Sequence, residues 1–184
     1  MNITETELAG AFVVEPKVIG DHRGYFFEAY SKKKFEENNI FIDFVQDNQS
    51  FNANAGTLRG LHFQTSVCPQ GKLVRCLSGA IIDVAVDLRK KSKTYKKWIT
   101  IELNDTNKKQ LFVPRGFAHG FLTLVPNTVI FYKVDNYYSP ESDAGIKWND
   151  PEIAVDWGIR DSNEIILSEK DLNQPFFKDS RADF

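Results

Sequence analysis

The chain has 184 residues, of which 42% are apolar and 26% charged, with a formal net charge of −2. That balance fits one globular domain and excludes disordered, collagen-like and multi-span membrane classes. The small net charge argues against a general role on nucleic acid or on a membrane surface, while leaving room for a local basic pocket for a small anion.

The opening segment MNITETELAG has no basic n-region and no apolar h-region, so no secretory leader or bilayer-spanning run is expected. AFVVEPKV then reads as a first strand, and SKKKFEENN as a short helix with Ser31 as its N-cap. Strands are predicted over 43–50, 57–63, 72–77, 80–88, 98–103, 110–113, 120–125 and 128–135. Turn signals separate them at NANAG, LSGA, LNDTN and VPNT. Many short strands at regular spacing predict a sandwich or barrel, and the 13% aromatic content suits a β-rich core. After Tyr138 the chain reads as irregular, with turns at SPESDAG and WNDPE, and a last short helix is predicted from Ser168. The tail PFFKDSRADF has no assignment. One domain is expected, with its core at about 10–157 and a tail over 158–184.

Within IIDVAVDLR, a period of two puts Asp83, Ala85 and Asp87 on one face and Ile82, Val84, Val86 and Leu88 on the other. The simpler reading is a sheet with one packed face and one wet face. The other is a barrel whose polar lumen holds a ligand. Cys68 and Cys76 match no redox or zinc spacing, which fits a reducing, cytoplasmic setting and leaves a disulfide between them open.

The three histidines are His22, His62 and His119. On a strand, Leu58, Gly60, His62 and Gln64 share one face, and a glycine beside a histidine leaves space for a ligand. A histidine satisfied within the core is the alternative. Neither His62 nor His119 has a second histidine close by, as a cupin-type metal site requires, so no metal is expected.

DHRGYFFEAY, FVQDNQS, LRGLHFQ, QGKLVRC, DVAVDLRKKSKTY, VPRGFAHGF and YKVDNYYSP…IKWND occur in that order. Together they resemble the dTDP-4-dehydrorhamnose 3,5-epimerase family from about Asp21 to Trp157, with a weaker match to Asp171. The resemblance implies a mainly β fold, a cupin-like jelly-roll barrel with short flanking helices. It also implies a homodimer, a dTDP-linked 4-keto-6-deoxy sugar as substrate, and no cofactor. The DWGIR segment departs from the family's usual Trp-Pro at Trp157.

In such a substrate the 4-keto group acidifies the hydrogens on C3 and C5. Epimerisation then needs a base, an acid on the other side, and positive charge for an enolate oxygen. By resemblance His62 is the base, Asp171 its orienting partner, Tyr132 the proton donor and Lys72 the charge at the enolate. Each has a plainer alternative. Ser168 to Asp171 also reads as a capping box, Tyr132 as an aromatic wall and Lys72 as a solvated surface lysine. Arg23, Arg59 and His119 match family positions suited to the diphosphate; Gln46, Asp47 and Asn48 match a nucleotide-contacting segment. Glu28, Asp143 and Lys170 match binding positions, although the family often has Glu where Asp143 stands. Tyr138 suits stacking on the thymine, its plainer alternative being a turn-flanking anchor. Period two puts Arg59 opposite His62, so one site holds both only if the strand is bulged or Arg59 meets the ligand differently.

The expected function is inversion of C3 and C5 of dTDP-4-dehydro-6-deoxy-D-glucose. The alternatives are a single-centre epimerase of a related deoxysugar, a cupin-like sugar-nucleotide binding protein without turnover, and a metal-dependent cupin dioxygenase.

Overall fold

The computed structural model describes residues 1–159 and 165–184. In chain order the strands are β1 (Asn2–Glu5), β2 (Phe12–Glu15), β3 (Ile19–Asp21), β4 (Gly24–Phe26), β5 (Gln46–Asn52), β6 (Leu58–Gln64) and β7 (Lys72–Ser78). They continue as β8 (Ala80–Asp87), β9 (Trp98–Asn104), β10 (Gln110–Val113), β11 (Phe117–Thr123), β12 (Thr128–Val134) and β13 (Asp143–Gly145). Two short helices, α1 (Lys32–Glu36) and α2 (Glu169–Leu172), flank them.

A six-stranded sheet in the order β1-β2-β10-β7-β12-β5 faces a five-stranded sheet in the order β13-β6-β11-β8-β9. The fold is a cupin-like jelly roll. The β3–β4 hairpin forms a separate two-stranded sheet.

Three apolar layers hold this frame. The inner one joins both sheets through Val74, Cys76, Ile81, Ala85, Leu103, Leu111, Phe121 and Ile130. The outer face of the five-stranded sheet carries Leu58, Leu61, Phe63, Val84, Val86 and Leu122, covered by Ile146, Ile153 and Trp157. The outer face of the six-stranded sheet carries Phe12, Leu73 and Phe112, covered by Phe35 of α1 with Tyr30 and Phe44. Each fully buried side chain of this size contributes on the order of 2 kcal/mol, which makes both covering layers integral to stability.

This layering corrects the simpler reading of β8, because neither of its faces is wet. Asp83 and Asp87 are fully buried on the inner face, beside Ala85. The predicted strand at 120–125 lies instead at Phe117–Thr123, and all seven of its residues are buried, so no alternation marks it. The strand predicted at 43–50 is found at Gln46–Asn52, because Phe44 packs outside against Tyr30 and Phe35. Ser31 does sit at the N-cap of α1, but its hydroxyl caps nothing. Strands β1, β3, β4 and β13 went unpredicted. β1, β3 and β4 are too short for a period to register and lack the apolar run that marks the equally short β10, and β13 lies inside a segment that reads as a turn.

Of DWGIR, Arg160 lies outside the described residues. Trp157 is buried and donates its Nε1–H to the carbonyl of Trp148 at 2.9 Å. The tail returns along β6, where Ile166 bonds Gly56 and Leu58 at 2.9 and 3.0 Å. The unassigned tail packs on the outer layer, with Phe184 edge-on to Phe63 at 6.0 Å and Asp183 accepting from Ser66. Both cysteines are free.

Asp87 shows how a buried charge is tolerated. Arg89 reaches both of its oxygens at 2.8 Å, and the Thr94 hydroxyl donates at 2.7 Å. Burial alone would raise this carboxyl, but those bonds hold it below the ordinary carboxylate value. Asp87→Ala is expected to cost about 3 kcal/mol in urea unfolding at pH 7, because the Arg89 guanidinium loses its counter-ion. A depressed folded-state pKa contributes stability that is complete above the unfolded value, near 4, and is lost as pH falls through the folded one. The stabilities of the wild type and Asp87→Asn are therefore expected to converge below about pH 4. A constant gap down to pH 3 would remove Asp87 from the acid response.

Candidate active site

The register of β6 decides which side chains meet. His62 lies opposite His119, and Arg59 opposite Phe121, with a register shift between those pairs. Two steps along β11 match three along β6, so β6 carries one extra residue, a bulge. Gly60 lies within it at φ +120°, where a Cβ would stand 2.6 Å from the Cα of Gly120 and 2.8 Å from the carbonyl of His119. Only glycine permits that approach.

The bulge breaks the expected alternation. Leu58 joins Leu61 and Phe63 on the outer face, whereas Arg59 and His62 share the inner one. The opposition of Arg59 and His62 expected from period two is thereby removed.

His62 and Asp171 meet at 2.6 Å between Nε2 and Oδ1. The other carboxylate oxygen accepts the Ser168 hydroxyl at 2.7 Å, and the same hydroxyl accepts the Asp171 backbone N–H at 3.1 Å. The cap and the pair with His62 are therefore not alternatives: one carboxylate serves both. Burial would raise Asp171, but hydrogen bonds from His62, Ser168 and the Gly60 N–H outweigh it and hold the carboxyl below its usual value. Asp171 therefore stays ionised and accepts the proton on Nε2 of His62. That tautomer leaves Nδ1 with a free lone pair.

Lys72 opens β7 in the same parity as Val74 and Cys76, and so points between the sheets. Its pKa is pushed down to about 8, chiefly by burial; Asp83 and Asp143 oppose the shift and Lys170 adds to it. Tyr132 lies on β12 in the same parity as Ile130, packed against the inner layer. Burial raises its phenol above the ordinary value, against a smaller lowering by the nearby Arg59. Arg59 donates to Asn52 at 2.9 Å. His119 is buried and bonded through Nε2 to Asp83 at 2.7 Å, while the second oxygen of Asp83 is enclosed without a partner among the described residues.

Gln46 and Asn48 bond each other at 2.8 Å, and Asn48 pairs with Tyr132 across the strands, which places both on the inner face. At the rim Asp143 accepts from Tyr138 at 3.1 Å and from Lys170 at 2.5 Å. Three expected residues are not brought in. Asp47 lies on the outer face, paired with Lys133 at 2.8 Å. Arg23 sits exposed at the β3–β4 hairpin on Asp21, and Glu28 lies exposed on Lys34.

Asp83, Asn52 and Ser168 were not singled out as site residues from the sequence. The pattern of IIDVAVDLR put Asp83 on a shared face, but nothing local ties it to a histidine on another strand. Among the described residues no group of three or more His, Cys, Asp or Glu side chains could hold a metal ion. No helix among them is long and apolar enough to cross a membrane.

Comparison with known proteins adds the chemistry of relatives. The family model described as dTDP-4-dehydrorhamnose 3,5-epimerase matches residues 5–179. A protein of that name from Methanothermobacter thermautotrophicus is 50% identical over 92% of this chain and 90% of its own. The crystal structure of the Elizabethkingia anophelis enzyme of that name superposes with a TM-score of 0.92, at 49% identity and 97% coverage of both chains. A Legionella pneumophila epimerase, solved in complex with dTDP-4-keto-L-rhamnose, has a TM-score of 0.90 at 42% identity, covering 96% of this chain and 93% of its own.

Lys72 is expected to titrate near pH 8, as followed by the chemical shift of its labelled side-chain nitrogen. Because Asp83 favours the charged form, Asp83→Asn is expected to move that midpoint downward. An ordinary midpoint, above 10, would place the ammonium in solvent.

Proposed function

The chain belongs to the dTDP-4-dehydrorhamnose 3,5-epimerase family and is an isomerase of that type; from that membership we propose how its own residues invert C3 and C5 of dTDP-4-dehydro-6-deoxy-D-glucose. The observation that carries the proposal is the 2.6 Å contact of His62 with a buried carboxylate, on the same inner face as Lys72 and Tyr132.

His62 is the base. Asp171 holds Nε2–H, so Nδ1 takes the proton from the carbon next to the keto group. The C–H electron pair moves into an enolate, whose negative charge falls on the C4 oxygen. Lys72 is the cation for that oxygen; one well-placed donor at such a site is worth about 3 kcal/mol, or a hundredfold in rate. Tyr132 returns a proton to the opposite face of the same carbon. The tyrosinate left behind is eased by the Arg59 guanidinium. Both groups then exchange protons with solvent, and the cycle repeats at the second carbon. The product is dTDP-4-dehydro-L-rhamnose. His119, held by Asp83, together with Gln46, Asn48, Arg59, Tyr138, Asp143 and Lys170, binds the nucleotide sugar.

The active unit is a homodimer in the cytoplasm. Arg23 and Glu28 lie outside the inner face of their own chain, beside exposed Ile19, Tyr25 and Phe26. Ile19 and Phe26 face each other across the β3–β4 hairpin and are 60% and 68% exposed, an apolar pair that a partner would cover. A second copy covering this hairpin takes Arg23 and Glu28 into its own site.

Proton NMR in heavy water with dTDP-4-dehydro-6-deoxyglucose tests the chemistry. Wild type is expected to lose both the C3 and C5 proton signals, and folded His62→Ala neither. Tyr132→Phe is expected to lower turnover much more than affinity. Near-original exchange at both carbons by folded His62→Ala would refute the base. Loss of one signal by wild type means a single-centre relative, and loss of neither with ligand bound means a binding protein.

Subunit mixing tests the shared site. His62→Ala and Arg23→Ala homodimers are each expected to be nearly inactive. After exchange at equal amounts, about a quarter of wild-type activity should return, since half the dimers carry one intact site. No recovery from fully exchanged dimers would place Arg23 in its own chain's site.

A further inference from the structure

Gln64 ends β6, two residues beyond His62, and is buried. Every polar atom of its side chain is engaged on backbone. Its Nε2 donates to the carbonyl of Cys68 at 2.6 Å and to that of Tyr137 at 3.2 Å. Its Oε1 accepts the Ser139 N–H at 2.6 Å. A buried amide commonly finds partners; here two of them are the peptide groups on either side of Tyr138. The side chain acts as a short length of strand, holding the chain just before and just after one exposed tyrosine.

Tyr138 has little else to fix it. It is 56% exposed, and its only side-chain bond among the described residues runs to Asp143 at 3.1 Å. Asp143 lies opposite Gln64 across β13 and β6. Gln64 thus sets both the backbone under the ring and the strand facing its hydroxyl partner. The loop it reaches on the other side is tied in as well, since Gln70 donates to the Asn136 carbonyl at 2.7 Å.

We propose that Gln64 is the positioning residue for Tyr138: it fixes the ring at the rim of the site as a preformed platform for the nucleotide base, in register with His62 on the same strand. This rests on the epimerase reading above, with Tyr138 as the stacking residue. A platform ordered before binding spares the ligand the cost of ordering it, so the benefit falls on affinity rather than on proton transfer.

Calorimetric binding of dTDP alone reads this without turnover. Gln64→Leu and Gln64→Met, each of which loses all three bonds without adding charge, are expected to weaken dTDP about tenfold. The kcat for the sugar nucleotide should stay within about twofold of wild type. In a Tyr138→Ala background, Gln64→Leu should cost no further affinity, because its effect passes through that ring. Unchanged affinity in folded Gln64→Leu, or an equal further loss in the Tyr138→Ala background, would overturn the proposal. If Gln64→Leu does not fold, Gln64→Met, which keeps the length of the side chain, carries the same cycle. Failure of the epimerase reading appears separately, as wild type that binds dTDP but exchanges no substrate protons.

Discussion

The site depends on a backbone contact between two glycines. β6 and β11 approach so closely at Gly60 and Gly120 that neither position has room for a Cβ; one on Gly120 would stand 2.8 Å from the Arg59 carbonyl and 3.0 Å from the Trp157 ring. The contact accommodates the extra residue of β6, and that residue turns Arg59 onto the face of His62. It also seats Trp157, and with it the layer that covers the five-stranded sheet. An ordinary period of two would place the cation and the base on opposite sides of the sheet.

Charge inside the sandwich is handled unevenly. Asp87 has a bidentate arginine and a hydroxyl, and is a structural anion. Asp171 is divided between Ser168 and His62. Asp83 holds His119 through one oxygen and leaves the other enclosed. Lys72 has no ion-pair partner within 4.0 Å among the described residues, although Asp83 and Asp143 lie near enough to support its charge. A desolvated cation without a contact partner costs stability. It is also the arrangement that an enolate oxygen, appearing only during reaction, can exploit most strongly. Of the carboxylates near Lys72, Asp143 is held by Lys170 and Tyr138, and Asp83 by His119 through one oxygen only, its other oxygen having no partner among the described residues.

Strands with a wet face or clear turn flanks were legible from their residues; Gln110–Val113 matches its prediction at both ends. Phe117–Thr123 was misplaced because a strand buried on both faces has no alternation to read. The motif-bearing residues His62, Lys72, Tyr132 and Asp171 could be named through the family resemblance, but composition and period alone did not separate them from core or surface roles. Asn52 and Asp83 act through partners on other strands, and such pairings depend on register, which a bulge shifts by one residue without a local sequence mark beyond a glycine. Arg23 and Glu28 illustrate the opposite limit. Arg23 suits an anionic diphosphate and Glu28 a hydroxyl or N–H donor of the same ligand, yet one chain folded alone holds them at its surface.

The pairing of His62 with Asp171 spans 109 positions of sequence, so the base is finished by a segment far downstream of β6. The helix bearing Asp171 has four residues, far too few to persist by itself. Its geometry is imposed by its surroundings: the bonds of Ile166 to Gly56 and Leu58 set its position, and the Ser168 cap sets its start. The same carboxylate that closes the cap accepts the histidine, so orienting the base and docking the tail are a single event. Order in the tail is therefore a condition of chemistry at β6. Any change that loosens Ile166 or Ser168 acts on His62 without touching the substrate pocket, by releasing the partner that sets its tautomer.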